Sequence, residues 1–411
     1  MVKAWDTTLI GDFLEFKNGL NKGKEFFGHG TPIVNYTDVY QKRGLKASDI
    51  RGRVFLTADE IHRFEVRKYD VFFTRTSETP NEVGITSVLL EDINDCVFSG
   101  FVLRGRPKND MFVPEYCKYC FSTAAVRNAI ITGCTYTTRA LTNGKQLSAI
   151  EISLPPKSEQ EAIATALSDI DALITNLEKL IAKKKAIKQG AMQELLTGKR
   201  RLPGYNDEWE EVSLGEYVDC IRGVSYDGDA DVFPYETEYT VRLLRSNNIQ
   251  DARFMNKNIQ FVNSDRVKMQ QYICQDDIMV CMANGSKSLV GKSCYFNKSL
   301  SGKYSFGAFM GCLRRKNDDV NMYYIFNLMN SSLYWEKIAI LFSGSSINNL
   351  RPSDILNMKF MMPTFDEQNA INRLLLYMDT EIDTLFAKLE KARNMKKGMM
   401  SELLTGRIRL V

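Results

Sequence analysis

Two stretches of the chain carry apolar side chains at alternating spacings of four and three residues. The first runs through Ile163, Leu167, Ile170, Ile174, Leu177 and Ile181. The second runs through Ile371, Leu375, Met378, Ile382, Leu385 and Leu389. This spacing is typical of a coiled-coil seam and predicts two long helices that pack together in antiparallel orientation. A capping box of Ser158 with Glu161 and a cap at Asp366 are the predicted helix starts.

The two helical stretches are copies of one sequence block. Residues 154–202 align without a gap with residues 362–410, and 20 of these 49 positions are identical. Both copies contain Glu-Gln-x-Ala-Ile near the start and Glu-Leu-Leu-Thr-Gly near the end. An internal duplication of this kind predicts a closed, pseudo-two-fold chain whose ends lie close together. The preceding segments match more weakly, at Trp5 with Trp209, Gly11 with Gly215 and Gly19 with Gly223.

The segments outside the repeated blocks read as mixed α+β domains. Short apolar runs predict strands, and longer periodic stretches predict helices. The predicted strands are Tyr69–Thr74, Ile150–Leu154 and Ile278–Met282, and the predicted helices are Pro114–Ile131 and Val320–Leu341. The predicted division of the chain is a domain at residues 1–153, a spacer helix at 154–203, a second domain at 204–361 and a second spacer helix at 362–411.

Composition narrows the class of protein. Hydrophobic residues make up 44% and charged residues 25% of the 411 residues, which is typical of a globular chain. No apolar run reaches the ~18 residues of a membrane span, and the start lacks a secretory pattern, so we expect a cytoplasmic protein. The net charge of +4 is too small to indicate a nucleic-acid partner by itself.

The chain contains no pattern typical of a catalytic or cofactor site. It has two histidines, and it lacks a P-loop, a Rossmann glycine pattern, a nucleophile elbow and a His-Glu-x-x-His zinc pattern. Cys117 and Cys120 form a lone Cys-x-x-Cys pair, for which a core helix is preferred over metal or redox chemistry. We therefore expect a binding protein without catalytic residues, metal or cofactor.

Polar loops at equivalent places in both domains carry side chains of the kind that read base edges or hold phosphates. For any single residue an ordinary turn remains the alternative, but the repetition favours a binding surface. The candidate DNA-binding residues of the first domain are Asn35, Tyr36, Arg75, Thr76, Ser77, Thr137 and Arg139. Those of the second are Arg245, Ser246, Asn247, Asn284, Ser286, Lys287, Ser345 and Asn348.

Over its whole length the chain resembles the specificity subunits of type I restriction-modification systems. The resemblance rests on the blocks with LPPKSEQEAI and QELLTG, and with MPTFDEQNAI and SELLTG, and on the variable segments before them. It implies two target-recognition domains held apart by an antiparallel coiled coil, each reading one half of a bipartite site in double-stranded DNA. It also implies two methyltransferase subunits and restriction subunits as partners, which bind the S-adenosylmethionine and hydrolyse the ATP.

The implied arrangement predicts the form of the DNA site. Two domains that touch one face of a duplex need contact centres ~10 base pairs apart, so half-sites of ~3–5 base pairs leave an unread gap of ~5–8 base pairs. Three alternatives stay open: a stand-alone sequence-specific DNA-binding regulator, a structural coiled-coil scaffold, and an enzyme that depends on a metal or cofactor.

Overall fold

The structure, a computed structural model, describes residues 5–297, 301–343 and 348–410. The chain folds as two compact units, Met1–Glu178 with Ala387–Val411 and Lys179–Phe386. Each unit combines sheets, short helices and a part of each of two long helices. Within the described ranges, no helix is long and apolar enough to cross a membrane.

The repeated blocks form two helices of 39 residues each, Lys157–Leu195 and Phe365–Leu403. All the predicted seam residues are buried or half-buried, and Ile163, Leu167 and Leu375 have no exposed surface. The predicted apolar seam is therefore confirmed.

Ion pairs between the two helices show that they run in opposite directions within each unit. Within each unit, as the residue number rises along the first helix, the number of its ion-pair partner on the second helix falls. Ion pairs near the surface contribute little stability, about 1 kcal/mol or less when exposed, so these pairs set the register of the helices more than their stability. The pairs are Asp171 with Lys396 and Glu178 with Arg393 in the first unit, and Lys184 with Glu381 and Lys188 with Asp379 in the second.

The helix starts differ from their predictions. The first helix begins at Lys157, so Ser158 lies inside its first turn and the predicted capping box is wrong. The carbonyl of Pro156 instead accepts hydrogen bonds from the backbone N–H groups of Glu159 and Gln160, both at 3.0 Å. The second helix begins at Phe365, so Asp366 is also in the first turn. There its carboxylate still favours the helix through the macrodipole.

The first unit is built on a five-stranded sheet. Four strands are antiparallel, and the short edge strand Gly44–Leu45 is parallel to its neighbour. Across the sheet the order is Leu14–Asn18, Val102–Pro107, Val71–Thr74, Thr86–Leu89 and Gly44–Leu45. The smaller sheets are Arg53–Val54, Phe27–Val34 and Val97–Phe98; Thr135–Tyr136, Ala140–Leu141 and Thr76–Ser77; and Asp6–Leu9 with Glu151–Leu154. The short helices are Ile10–Phe13, Tyr36–Gln41, Ala58–Phe64, Pro114–Cys120, Ala124–Gly133 and Gly144–Ser148, with 3₁₀ turns at Lys24–Phe26, Ala47–Asp49 and Pro80–Glu82.

The second unit is built on a four-stranded antiparallel sheet. Its order is Val218–Arg222, Met310–Arg315, Ile278–Cys281 and Ser293–Tyr295. The other sheets are Val232–Phe233, Gln260–Asn263, Thr240–Leu244 and Tyr304–Phe306; Ile249–Gln250 with Arg253–Phe254; and Glu210–Ser213 with Lys359–Met362. The short helices are Leu214–Tyr217, Met322–Met329, Ser332–Leu341 and Pro352–Leu356, with 3₁₀ turns at Ser246–Asn248, Ser264–Arg266, Met269–Gln271 and Lys287–Leu289.

The main sheets of the two units share their strand order and an ion pair. Asp70 is buried and accepts from Arg106 Nε at 2.8 Å and Nη2 at 2.7 Å. Asp277 is buried in the same place and accepts from Arg314 Nε at 2.9 Å and Nη2 at 2.6 Å. The mixed α/β class and the pseudo-two-fold repeat that the sequence predicts are confirmed.

Two predicted helices each consist of two shorter ones. The stretch from Pro114 is interrupted before Ala124, because the Thr123 side chain accepts a hydrogen bond from Val126 N–H and starts a new helix. In the second unit, the hydroxyl of Ser331 donates to the carbonyl of Leu328 at 2.6 Å, where one helix ends and the next begins. The three predicted strands are confirmed to within two residues at each end.

Each unit has one main core that joins its sheet to the long helices. In the first unit, Ile163 and Leu403 belong to the same apolar cluster as sheet residues. Cys117 and Cys120 are buried in that cluster, and burial raises the pKa of the Cys120 thiol. The Cys-x-x-Cys pair is thus part of a core helix, as predicted. The domains are built onto the long helices and share their core.

Candidate nucleic-acid interface

A buried glutamate at the start of each long helix holds the beginning of its domain. Glu159 is fully buried and accepts from Trp5 Nε1 at 3.1 Å and from Arg409 Nε and Nη2 at 2.6 and 2.7 Å. The guanidinium of Arg409 also lies 5.4 Å from the ring centre of Trp5. Because Trp5 and Arg409 come from opposite ends of the chain, the predicted proximity of the ends is confirmed.

The second unit repeats this arrangement. Glu367 accepts from Trp209 Nε1 at 3.1 Å and from Arg201 Nε and Nη2, both at 2.6 Å. Arg201 lies 5.4 Å from the ring centre of Trp209. We call each set of glutamate, tryptophan and arginine a clamp. The clamps explain why the glutamate of the repeated Glu-Gln pair is present in both blocks.

The electrostatics of the first clamp favour an ionised carboxylate. Burial by itself would raise the pKa of Glu159, but the hydrogen bonds from Arg409 and Trp5 outweigh it, so that the pKa lies below its ordinary value.

The glutamine of the pair ties each domain to its helix. Gln160 Nε2 donates to the carbonyls of Met111 and Pro155 at 3.0 and 2.9 Å, and its Oε1 accepts from Val113 N–H at 2.8 Å. In the second unit, Gln368 donates to a proline carbonyl at 3.0 Å and accepts from Asn321 N–H at 3.0 Å. The Glu-Gln pair, which is identical in the two blocks, therefore holds each domain to the start of its long helix.

The candidate polar loops follow equivalent strands in the two units. The first loop (35–37; 245–248 in the second unit) follows a strand that pairs in parallel with Val97–Phe98 or with Tyr304–Phe306. The second loop (75–77; 284–287) follows the central strand of the main sheet. The predicted positional match is confirmed for these two loops.

The third loop is described in full in the first unit (137–139), and in the second unit (345–348) only at Asn348. Just beyond it, Thr142 N–H donates to the carbonyl of Arg75 at 3.0 Å, and Leu350 N–H donates to that of Met282 at 2.7 Å. Ser345 lies outside the described residues.

In the first unit the three loops meet around one cavity. Its volume is about 340 Å³, and it is lined by Tyr36, Thr76, Ser77, Glu78, Glu82, Phe101 and Arg139. Arg139 is exposed, and its Nη2 lies 4.0 Å from Glu78 Oε1. Side chains from all three loops therefore border one concave surface.

In the second unit hydrogen bonds join the three loops. Asn284 Nδ2 donates to Ser246 Oγ at 3.0 Å, and Asn348 Nδ2 donates to the carbonyl of Gly285 at 3.1 Å. Ser286 N–H donates to Asn284 Oδ1 at 3.0 Å. The loops form one connected polar surface in this unit too.

Availability to a ligand differs among the candidates. Ser77 is buried, and its hydroxyl donates to Glu82 at 2.7 Å, so that it shapes the loop and has the least surface to offer DNA. The half-buried candidates are Asn35, Tyr36, Arg75, Thr76, Arg245, Ser246, Asn284 and Asn348. The exposed ones are Thr137, Arg139, Asn247, Ser286 and Lys287.

Two half-buried arginines of these loops are held by backbone carbonyls. Arg75 Nη1 donates to the carbonyl of Gly100 at 3.2 Å, and Arg245 Nη2 donates to the carbonyl of Asn258 at 3.3 Å. The Nε atoms of both are buried and have no hydrogen-bond partner among the described residues. Each guanidinium is thus anchored through one terminal nitrogen, and the other terminal nitrogen is the donor that could reach a ligand.

The family model for the type I restriction modification DNA specificity domain matches residues 3–189 and, a second time, residues 206–392. The chain belongs to this family. The match confirms the resemblance that the repeated blocks indicate, and it assigns one specificity domain to each half of the chain.

The relatives agree with this assignment. The specificity subunits of the type I restriction enzymes StySPI of Salmonella potsdam and EcoKI of Escherichia coli K12 are each 32% identical over 200 residues. These alignments cover 49% of this chain and 42% of the relatives, so they span less than half the length of either relative. The S subunit from M. genitalium has the same fold, with a TM-score of 0.59 and 15% identity over 97% of this chain and 96% of its own.

Sequence reasoning missed Glu78, Glu82 and Phe101, which also line the cavity of the first specificity domain. Glu82 has the most polar contacts of the three. Its carboxylate accepts from Ser77 Oγ at 2.7 Å and from Tyr40 at 2.9 Å, and these hydrogen bonds keep its pKa below the ordinary value. A negative charge beside the loops repels phosphates but can accept from a base amino group. Nothing in the local sequence indicated it, because the fold alone brings Tyr40 and Ser77 to it. Among the described residues, no three histidine, cysteine or acidic side chains are grouped to hold a metal.

Proposed function

We propose that the chain is the DNA-specificity subunit of a type I restriction-modification complex. Each specificity domain reads one half of a bipartite site, and an unread gap separates the halves. The chain directs two adenine methyltransferase subunits, and the restriction subunits that join them, to that site. Methyl transfer and DNA cleavage belong to the partners, and the chain supplies recognition.

One observation carries this proposal. The first two loops follow equivalent strands in both domains but carry different side chains: Asn35 and Tyr36 stand where the second domain has Arg245 and Ser246. Base edges are read by the pattern of donors and acceptors that faces them. Equivalent surfaces with different patterns are therefore suited to read two different half-sites.

The long helices offer a surface for the partners. Leu173, Leu180 and Ile187 are exposed and follow one another at intervals of seven residues, which places them on one face of the first long helix. Scattered apolar residues are ordinary at a surface, but a heptad-spaced row is typical of a helix that packs against further helices. We therefore expect partner helices to cover this row.

Changing Arg75 to alanine tests base reading by the first domain. If Arg75 donates to a guanine, the variant should lose about 1–3 kcal/mol of discrimination at one base pair of one half-site. The measurement is single-molecule sequencing of methylated DNA from a host that carries the chain with its methyltransferase. The expected result is a methylated motif that is relaxed at one position only.

Arg67→Ala is the matched control, because Arg67 is exposed and lies before the strand Val71–Thr74, whereas Arg75 follows it. An unchanged control motif with a relaxed Arg75 motif supports base reading. Uniform weakening by Arg75→Ala at every site would mark a phosphate contact. Absence of any specific motif with the unaltered chain would contradict the proposed function itself.

A further inference from the structure

Both domains place a phenylalanine in a four-residue turn at the same point of the fold. In the first domain, Val102 N–H donates to the carbonyl of Ser99 at 2.9 Å and closes a turn that contains Phe101. In the second, Met310 N–H donates to the carbonyl of Gly307 at 2.8 Å and closes a turn that contains Phe309. The two turns are therefore structural equivalents.

The turns are fastened by the same bond to the residue that directly follows the strand before the second loop. Arg75 N–H donates to the carbonyl of Phe101 at 2.9 Å, and Met282 N–H donates to that of Phe309 at 2.8 Å. A parallel bridge holds each turn from the other side, Leu20 with Ser99 and Val224 with Gly307. The position of each phenylalanine is thus fixed by backbone contacts on two sides.

The phenylalanine side chains are exposed where a polar residue would be expected. Phe101 is 57% exposed and Phe309 is 71% exposed. Turn positions favour glycine, asparagine, aspartate and serine, because these residues suit the backbone conformations of turns and exposure to solvent. One exposed aromatic needs no explanation, but the same one in two otherwise diverged segments indicates a retained purpose.

Both phenylalanines lie beside the candidate polar loops. Phe101 lines the same cavity as Tyr36, Thr76 and Arg139. In the second domain, Ala283 N–H also donates to the carbonyl of Phe309 at 3.2 Å, directly before the loop that begins at Asn284. Phe101 therefore borders the candidate surface of the first domain, and the backbone of Phe309 is bonded directly before the second loop of the second domain.

Building on the proposed function, we infer that Phe101 and Phe309 are wedge residues, each of which stacks on or inserts beside a base step of its own half-site. Apolar side chains that enter a base step partly unstack it and bend the duplex. An aromatic ring buries a large apolar area for little loss of side-chain freedom. The free energy needed to unstack a base step depends on its sequence. The wedges would therefore favour half-sites whose steps unstack easily.

The test uses the full chain assembled with its methyltransferase, and two duplexes, each with 2-aminopurine in a different half-site at a position other than the methylated adenine, because methyltransferases flip their target base. Binding of the unaltered complex should raise the fluorescence in both half-sites as bases unstack. Phe101→Ala should abolish the rise in one half-site, Phe309→Ala that in the other, and each should weaken binding on the order of 10- to 100-fold. Phe101→Leu, which keeps an apolar side chain without the flat ring, should fall between.

Phe55→Ala and Tyr239→Ala are the matched controls, with rings 55% and 70% exposed. Both should leave the fluorescence rise and the affinity unchanged. The inference would be overturned if the Phe101 and Phe309 variants kept the fluorescence rise and the affinity of the unaltered chain. It would also be overturned if these variants failed to bind the methyltransferase in the absence of DNA, because the rings would then be a protein contact. If the unaltered complex binds no specific DNA, the proposed function fails first.

Discussion

Replacement of Glu159 by alanine is expected to destabilise the first unit by about 3 kcal/mol, because removing one partner of a buried ion pair leaves the other charge uncompensated. Glu159 is fully buried and holds three donors of Trp5 and Arg409. The loss releases the start of the first domain and the segment that follows the second long helix together.

Native-state hydrogen exchange measures this effect unit by unit. Glu159→Ala should lower protection in the first unit and leave the second unchanged, and Glu367→Ala should do the reverse. Glu161→Ala is the matched control, because Glu161 is exposed two residues along the same helix, and it should change stability by no more than about 0.5 kcal/mol. Equal effects of Glu159→Ala and Glu161→Ala would contradict the role of the clamp.

The clamp also predicts a pH dependence. The pKa of Glu159 is lower in the folded chain than its ordinary value, so the unfolded chain binds this proton more readily. The stabilisation is fully present above the unfolded pKa of about 4.3 and is lost as the pH falls through the folded pKa. The difference in stability between the unaltered chain and Glu159→Gln should therefore shrink below about pH 4.

Insertion of seven residues into each long helix should lengthen the unread gap of the DNA site. Seven residues add ~10.5 Å of helix, which matches about three base pairs at 3.4 Å each. Seven also preserves the alternating spacing of the seam. The insertion points are between Glu178 and Lys179 and between Phe386 and Ala387, where the two units divide.

Both half-sites should stay unchanged in this variant, because no loop is altered. Three added base pairs also turn the far half-site by ~100° around the duplex, so that methylation at the new site should be weaker. Replacing seven residues of each helix without a change of length is the control and should keep the gap. A gap that ignores the insertion, or half-sites that change with it, would contradict the spacer role.

The periodic parts of the chain were predictable because their signal is local. The apolar spacing from Ile163 to Ile181 by itself marks one buried face of a helix. The internal repeat then predicts the same helix in the second block. The helix starts were less predictable, because Pro156 supplies a backbone carbonyl where Ser158 suggested a side-chain cap. Thr123 interrupts a predicted helix because its side chain caps the next helix, and the apolar spacing gave no sign of this break.

The contacts that position the domains could not be read from the sequence. The Glu-Gln pair was visible as an identity of the repeat, but its purpose depends on Trp5 and Arg409, which are distant in sequence from Glu159. The wedge position did leave a signal. Phe98 and Phe101 recur as Phe306 and Phe309 with the same offset as the repeated blocks, and this match was overlooked because the surrounding residues differ.

The central claim is that two different reading domains recognise two separated halves of one DNA site. It is tested most directly by mapping methylated adenines in a host that carries this chain and its methyltransferase, before and after residues 1–153 are exchanged for those of another family member. We expect a bipartite motif with an unread gap of ~5–8 base pairs, of which one half changes and the other stays. A single uninterrupted motif, or a motif of which both halves change, would contradict the claim.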